Sequence, residues 1–324
     1  PPPPPPPPPT LFCPPNPPYP LSACLVGSEM CIIDSIIMNN DQEFVALLGT
    51  KGGPAVRPGS TMPTSSLISL GGQQIVVDCG LGVTRGLLDQ QVDLRTLKTV
   101  IITHLHSDHY LELGPLLHTA WTAGLKTPVT VWGPHGLQDY WDGFYRSMIA
   151  DIELRQSDEG RPDLAGLVQI NTLDDGAFLD QDGLSITAMR NLHPPLIDTF
   201  ALSFRTASRH VVFSGDTAPL PALVDFARDA DLLVHEAMLQ PALEALVARV
   251  GSTDDRLMNH LMRSHTMADQ AAVIASDAGV HALALHHLIP SDDPNYGLSD
   301  WQAAVSPHFS GRIHIGTDGL RIPL

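Results

Sequence analysis

The chain has 324 residues, 43% of them hydrophobic, enough to bury one large core or two modest ones. Its 18 basic and 35 acidic side chains leave a formal charge of −17, which repels phosphate backbones and anionic lipid and on that ground excludes nucleic acid and membrane as partners. Beyond the leader no apolar run reaches the ~20 residues of a membrane-spanning helix, and Cys13, Cys24, Cys31 and Cys79 form no CxxC pair, so they read as reduced or incidental thiols.

Residues 1–40 read as a leader outside the core. "PPPPPPPPPTLFCPPNPPYP" admits only extended polyproline II or disorder, because proline fixes φ and lacks the backbone donor. Leu21-Ser22-Ala23-Cys24 has the outline of a lipoprotein signal, yet no Lys or Arg precedes Lys51 and the basic start of such a signal is missing. The alternative is a non-folding leader with Met38 as a natural start. A cytoplasmic location is expected, the leader keeping a periplasmic or lipoprotein form open.

Residues 41–324 carry a regular pattern. "EFVALLGT", "SSLISLGG" and "QQIVVDCG" predict three short strands with glycine turns between them, "TRGLLDQQ" a brief helix and "KTVIITH" a buried strand. Helical apolar spacing covers Leu111 to Ala123 and Gly136 to Ile149, with the strand "PVTVWG" between them. A polar stretch, "QSDEGRPDLAG", leads into a second half with strands at "VQINTL", "LSITAMR", "FALSFRT", "HVVFSGD", "LLVHEA" and "ALALHH" and helices near 219–229, 241–249 and 266–277. Two comparable halves of this kind point to an α/β fold of two sheets face to face with helices outside, periodicity alone leaving other α/β layouts open.

The stretch "THLHSDH" packs four potential metal ligands into six positions directly after a strand. His104 and His106, two apart in extended backbone, leave the same face, while Asp108 and His109 follow at the turn into a helix. One histidine there reads as ordinary surface, but imidazoles and a carboxylate at this density are the donor set for zinc, with manganese or iron open on ligand type alone.

H-x-H-x-D-H is the defining motif of the metallo-β-lactamase fold hydrolases, which this chain resembles from about Phe44 to its C-terminus. The resemblance implies an αββα sandwich and extends to "RNLHPP", "VFSGDTAP" and "LALHHLIP". It implies two zinc ions, one held by His104, His106 and His193, the other by Asp108, His109 and His286, with Asp216 bridging; His287 is the fallback for the last ligand. Read singly, His193 is a turn residue before Pro194-Pro195, Asp216 a helix cap, and His286 a half-buried strand residue. His135 in "GPHG" is a candidate for an extra ion, against a plain loop histidine.

"LLGTKGGP", "VVDCG", "SGDTAP", "LLVHEAM" and "RSHTMADQAAVIA" make the finer match to the branch of tRNase Z and arylsulfatase-like enzymes. That match implies catalytic roles for Asp108, His235, Glu236 and His265, with His265 donating a proton and Glu236 orienting it. Only 23 residues separate His193 from Asp216, too few for a long tRNA-gripping arm, and with the acidic charge this argues for a small, weakly charged substrate. Trp121, Trp132, Tyr140, Trp141, Phe144 and Tyr145 are expected in the core or a dimer contact, some of them at an aromatic pocket mouth.

The whole chain also resembles the hydrolytic dehalogenases of this superfamily. Zinc lowers the pKa of water toward ~7, which does not choose among electrophiles; the resemblance implies attack by the hydroxide on a chlorinated aromatic nitrile such as chlorothalonil. Arylsulfatase-like or phosphodiesterase-like hydrolysis is the alternative, then β-lactam or lactone hydrolysis, and outside catalysis a metal-binding structural protein. A homodimer is expected through the aromatic-rich helix, whose apolar surface exceeds what a solvated helix needs.

Overall fold

The computed structural model describes residues 43–251 and 254–324. The expectations for the leader, Met38, Cys13, Cys24 and Cys31 lie outside the described residues. Fourteen strands form two mixed sheets of seven among the described residues. The first sheet contains β1 (Phe44–Gly49), β2 (Ser65–Leu70), β3 (Gln73–Val77), β4 (Thr99–Ile101), β5 (Val129–Gly133) and β6 (Val168–Thr172). The second contains β7 (Gly176–Gln181), β8 (Leu184–Arg190), β9 (Phe200–Arg205), β10 (His210–Phe213), β11 (Leu232–Met238), β12 (Ala282–Ile289) and β13 (Arg312–Ile315). The last strand, β14 (Leu320–Pro323), returns to the first sheet and pairs antiparallel with β1.

The two-residue strand period decides which side chains meet. Along β1, Val45 and Leu47 join Ile68, Val77 and Ile101 between the sheets, where they meet Phe200, Leu202, Val211 and Val234 of the second sheet. Phe44, Ala46 and Leu48 point the other way, onto Val83, Leu87 and Leu113 under the first helical layer. Where both faces of a sheet are covered, as at β1, β11 and β12, the strand is buried along its whole length, whereas β5 and β8, nearer the edges, alternate. The second sheet is covered likewise, with Leu233, Ala237, Leu283 and Leu285 packed on Leu223, Ala271, Ala275 and Trp301. The architecture is the helix–sheet–sheet–helix sandwich that the resemblance implied.

Three differences from the sequence reading have local causes. The helix expected over Gly136 to Ile149 spans Leu137–Glu159 and absorbs the start of the polar stretch, whose Arg155 pairs with Asp151 and Glu159 at four-residue spacing. The helices Arg256–Ser264 and Leu298–Val305 and the strands β7, β13 and β14 escaped the pattern, being short or poor in apolar residues. The aromatic surplus of the Leu137–Glu159 helix is used within the chain: Trp141 is buried, and Tyr140, Phe144, Tyr145 and Met148 pack against the first core. The argument for a homodimer through that helix therefore loses its ground. Among the described residues no helix is long and apolar enough to cross a membrane.

Gly114, at the start of the Leu113–Ala123 helix, lets this happen. A Cβ there would lie 2.3 Å from Cγ of Phe144, and its N–H donates to the Tyr140 hydroxyl at 3.1 Å. Alanine improves intrinsic helix propensity by about 1 kcal/mol, whereas overpacking a closed contact costs about 1–3 kcal/mol. Gly114→Ala is therefore expected to lower stability in urea unfolding despite the better helix former. A variant as stable as the parent, or more so, would contradict this packing.

Candidate functional site

The polar cluster collects at one end of the sandwich, where the chain leaves the parallel strands. Asp78 follows β3, the H-x-H-x-D-H segment follows β4, Asp216 follows β10, Glu236 lies in β11 and His287 in β12. In parallel sheets the carboxyl ends of the strands are where connecting loops converge, so residues far apart in sequence meet there.

His104, His193 and Asp216 are buried and His106 is half-buried. One ligand atom from each of these four residues lies within 4.8 Å of the others, as holds separately for Asp108, His109 and His287 and for Asp216, His265 and His287. Neighbouring groups set the ring orientations. His193 Nδ1 donates to the Ser264 carbonyl at 2.8 Å, which turns Nε2 to within 3.0 Å of His106 Nδ1. His104 Nδ1 lies 3.1 Å from the Thr103 hydroxyl, and its Nε2 lies 3.2 Å from the same His106 nitrogen. His109 Nδ1 donates to Asp78 at 2.8 Å, leaving Nε2 buried with no hydrogen-bond partner.

The titration of these groups follows from their surroundings. Burial and the neighbouring imidazole of His109 hold His104 well below the usual histidine range, and burial pushes His193 down to about 3. Against burial, Asp216, Asp78 and Asp108 raise His109, and Asp216 with Asp108 pushes His287 up to about 10. Against burial, His287 and His109 hold Asp216 well below the carboxylate range. The neutral nitrogens of His104, His106 and His193 aimed at one point, and the carboxylates that draw His109 and His287 toward the charged form, call for a cation. The donor set, the converging nitrogens and the orphaned His109 Nε2 fit zinc.

The last histidine differs from the expectation. Regular alternation sends His286 between the sheets, where its Nε2 donates to the Gly49 carbonyl at 2.8 Å. His287 enters the cluster instead, its Nε2 3.2 Å from Asp108 and 3.0 Å from Asp216. The pairing of β11 with β12 explains the change: Glu236 pairs with His286 and Ala237 with Leu288, so His287 is an extra residue, at φ 45°. A bulge of this kind re-aims a side chain out of the two-residue alternation. Gly52 fits against the bulge, since a Cβ there would meet the His287 ring at 2.9 Å.

His265 and Glu236 form a pair at the edge of the cluster, with Nδ1 2.9 Å from Oε2. The Thr217 N–H donates to Glu236 Oε1 at 2.6 Å. Burial pushes His265 down to about 4 and, with Asp216, raises Glu236. His235 has no place in this arrangement. As the neighbour of Glu236 in a strand it turns to the opposite face, where it is fully buried, its Nδ1 donating to the Glu236 carbonyl at 2.7 Å and its Nε2 unpartnered. His135 lies in an exposed contact with Asp198 at 3.0 Å, outside the cluster.

Sequence reasoning passed over Asp78. Its carboxylate accepts the Thr103 N–H at 2.8 Å, the Thr103 hydroxyl at 2.9 Å and His109 Nδ1 at 2.8 Å, fixing both the motif backbone and one imidazole. "VVDCG" held the residue in view, but its partners lie 25 and 31 positions away. A cleft of about 340 Å³ opens over the cluster, with Leu246, Val250, Leu257, Leu261 and Ile289 as its apolar wall and Lys51, Arg57 and His260 among its polar lining. None of the six aromatic residues singled out in the sequence lines it. Trp121 is fully buried with its indole N–H donating to the Pro162 carbonyl at 3.0 Å, and Trp132 stacks toward Phe178 at 4.9 Å between ring centres.

A family model described as Anti-Pycsar protein Apyc1 matches residues 45–289. Ribonuclease Z of Mycobacterium marinum is 30% identical over 282 residues, covering 86% of this chain and 97% of the relative. Ribonuclease Z of Mycobacterium avium is 30% identical over 281 residues, with the same shares. Among solved structures, the metallo-β-lactamase fold protein YhfI of Bacillus subtilis superposes with TM-score 0.63 at 22% identity, covering 88% of this chain and all of that one. The short form of human tRNase Z superposes with TM-score 0.60 at 22% identity, covering 86% of this chain and 98% of that one. Relatives named for a ribonuclease overturn the exclusion of nucleic acid drawn from net charge. The physical reason is that −17 is summed over the whole chain, whereas a substrate meets the local field of the cleft, where Lys51 and Arg57 stand. The chain belongs to the family of the anti-Pycsar protein Apyc1 and, with its ribonuclease Z relatives, to the metal-dependent hydrolases of the metallo-β-lactamase fold.

Proposed function

We propose that the protein is a zinc-dependent phosphodiester hydrolase. The observation that carries this reading is the His265–Glu236 pair in the cleft beside the ligand cluster. A phosphodiester releases an alkoxide, which leaves far more readily when it takes up a proton, while chloride leaves an aryl ring without one. A dehalogenase therefore has little use for this pair, and a phosphodiesterase does. The ribonuclease Z names of relatives at 30% identity support the same bond class.

In this reading His104, His106 and His193 would hold one zinc and Asp108, His109 and His287 a second, with Asp216 within reach of both groups. Bound zinc supplies Lewis acidity, which makes hydroxide available near neutral pH. The chain's own residues do the rest. Asp78, Ser264 and Thr103 fix the rings of His109, His193 and His104, so the ligand atoms need no rearrangement. The Gly53 N–H donates to Asp108 Oδ2 at 2.8 Å, which orients that carboxylate. Glu236, raised toward its neutral form, meets Nδ1 of His265 with its carboxyl proton, which leaves His265 as the Nε2–H tautomer; Nε2 then passes its proton to the departing oxygen as Nδ1 takes the one from Glu236.

Two adjacent histidines give a direct test of the ligand set. His287→Ala is expected to lose about one zinc per chain in elemental analysis, as removal of one imidazole from a three-residue site does. His286→Ala is expected to keep its zinc but lose about 1–3 kcal/mol of stability, by leaving the buried Gly49 carbonyl unpaired. The reverse pattern would return the ligand role to His286.

The reaction is tested with the zinc-loaded full chain on three substrates: bis(4-nitrophenyl) phosphate, a dinucleotide with an alkoxide leaving group, and a chlorinated aromatic nitrile, with a 3′-extended tRNA precursor as a further arm. His265→Ala should cut dinucleotide cleavage by about 10²–10⁴-fold and nitrophenolate release much less, since nitrophenolate departs unprotonated. Rapid chloride release without any phosphodiester cleavage would replace this reading with dehalogenation.

A further inference from the structure

We propose that Lys51 and Arg57, gathered around Asp292 on the wall of the cleft, form the anion subsite that binds the phosphate oxygens of the substrate. This rests on the phosphodiesterase reading and deepens it, naming the residues that recognise substrate charge.

Lys51 is 3% exposed and lines the cleft together with Asp108 and His287. A buried ammonium carries three donors and is rare without a close partner. The one acid recorded against its Nζ among the described residues is Asp292, at 3.6 Å, longer than a hydrogen bond of ordinary geometry. Burial accordingly lowers the Lys51 pKa, the field of Asp292 recovering only part of the loss. Beyond this contact with Asp292, no hydrogen bond of the Lys51 ammonium to another side chain or backbone group is recorded among the described residues.

Asp292 is also heavily subscribed. Its carboxylate lies 3.3 Å from Arg57 Nη1 and 3.3 Å from Arg249 Nη2, in addition to Lys51. Arg249 reaches Asp293 at 3.0 Å, and Asp293 further accepts from the Asn295 N–H at 3.0 Å. Lys51, Arg57 and Arg249 thus gather three cations against Asp292 and Asp293 on this wall, in a chain of net charge −17, while Asp108 and Asp216 face the ligand cluster in the same cleft. A neutral chlorinated nitrile has no group that would use Lys51 and Arg57, whereas a phosphate oxygen is the ordinary partner of such a pair.

The subsite is held in place before any ligand arrives. The Lys51 N–H donates to the Met62 carbonyl at 2.9 Å and the Gly52 N–H to the Leu288 carbonyl at 3.0 Å. Gly53 is tied to Asp108. The loop bearing Lys51 and Arg57 is therefore laced to the segments that bear Asp108 and His287, so an anion seated on the cations keeps a fixed relation to those residues.

Lys51→Met, Lys51→Arg and Arg57→Gln are compared with the parent as zinc-loaded full chains of verified zinc content. For bis(4-nitrophenyl) phosphate, Lys51→Met should raise KM by about tenfold or more with kcat changed far less, the size of one lost charge-assisted contact. Lys51→Arg should restore most of the affinity. Calorimetry with inorganic phosphate should show a similar rise in Kd, and Arg57→Gln, at a side chain 35% exposed and outside the core, should give the same direction if Lys51→Met fails to fold. Phosphate affinity unchanged in both Arg57→Gln and Lys51→Met, or in Arg57→Gln where Lys51→Met does not fold, overturns the subsite even when phosphodiester cleavage persists. Weakened phosphate binding in a protein that cleaves no phosphodiester keeps the subsite and overturns the reaction instead.

Discussion

The whole site depends on one constraint: imidazole nitrogens with free lone pairs and two carboxylates are held facing one another, largely away from water. Uncompensated, such an arrangement is costly, since lone pairs oppose lone pairs and buried carboxylates repel. The directions of titration express the same demand, with His109 and His287 drawn toward the charged form by Asp216 and its neighbours. The pocket asks for positive charge, and its donor types are those that bind zinc. The two sheets supply the rigidity, since each ligand leaves a strand end or a short loop braced by a second contact such as Asp78 to His109 or Ser264 to His193.

How much of this could be read from the sequence depended on distance along the chain. The H-x-H-x-D-H cluster was legible because four donors fall within one turn and its approach. The sandwich was legible because strand apolarity and glycine turns are local signals. His287 was not, since the choice between two adjacent histidines is made by a bulge that appears only when β12 is paired with β11. Asp78 was hidden for a similar reason: within "QQIVVDCG" it reads as the end of a strand until Thr103 and His109 fold onto it. The role that the resemblance implied for His235 meets strand alternation, which turns it to the face opposite Glu236.

Composition misled where it was summed too broadly. The aromatic-rich segment after the motif packs in the core as expected, Phe144 filling the hollow that Gly114 leaves, but none of its rings reaches the pocket mouth also expected for some of them. Net charge suggested a substrate without phosphate, but the chain concentrates Lys51, Arg57 and Arg249 around Asp292 near the cleft. What a ligand experiences is set within about a Debye length, ~8–10 Å at physiological salt, and whole-chain totals do not report it.

Anomalous diffraction at the zinc edge, from crystals of the full chain grown with zinc, tests the central claim most directly. The account predicts two peaks ~3.5–4 Å apart, one among His104, His106 and His193, the other among Asp108, His109 and His287, with Asp216 between them. A cluster without anomalous signal in zinc-replete crystals, or a single ion bound with His287 outside its coordination, would contradict it.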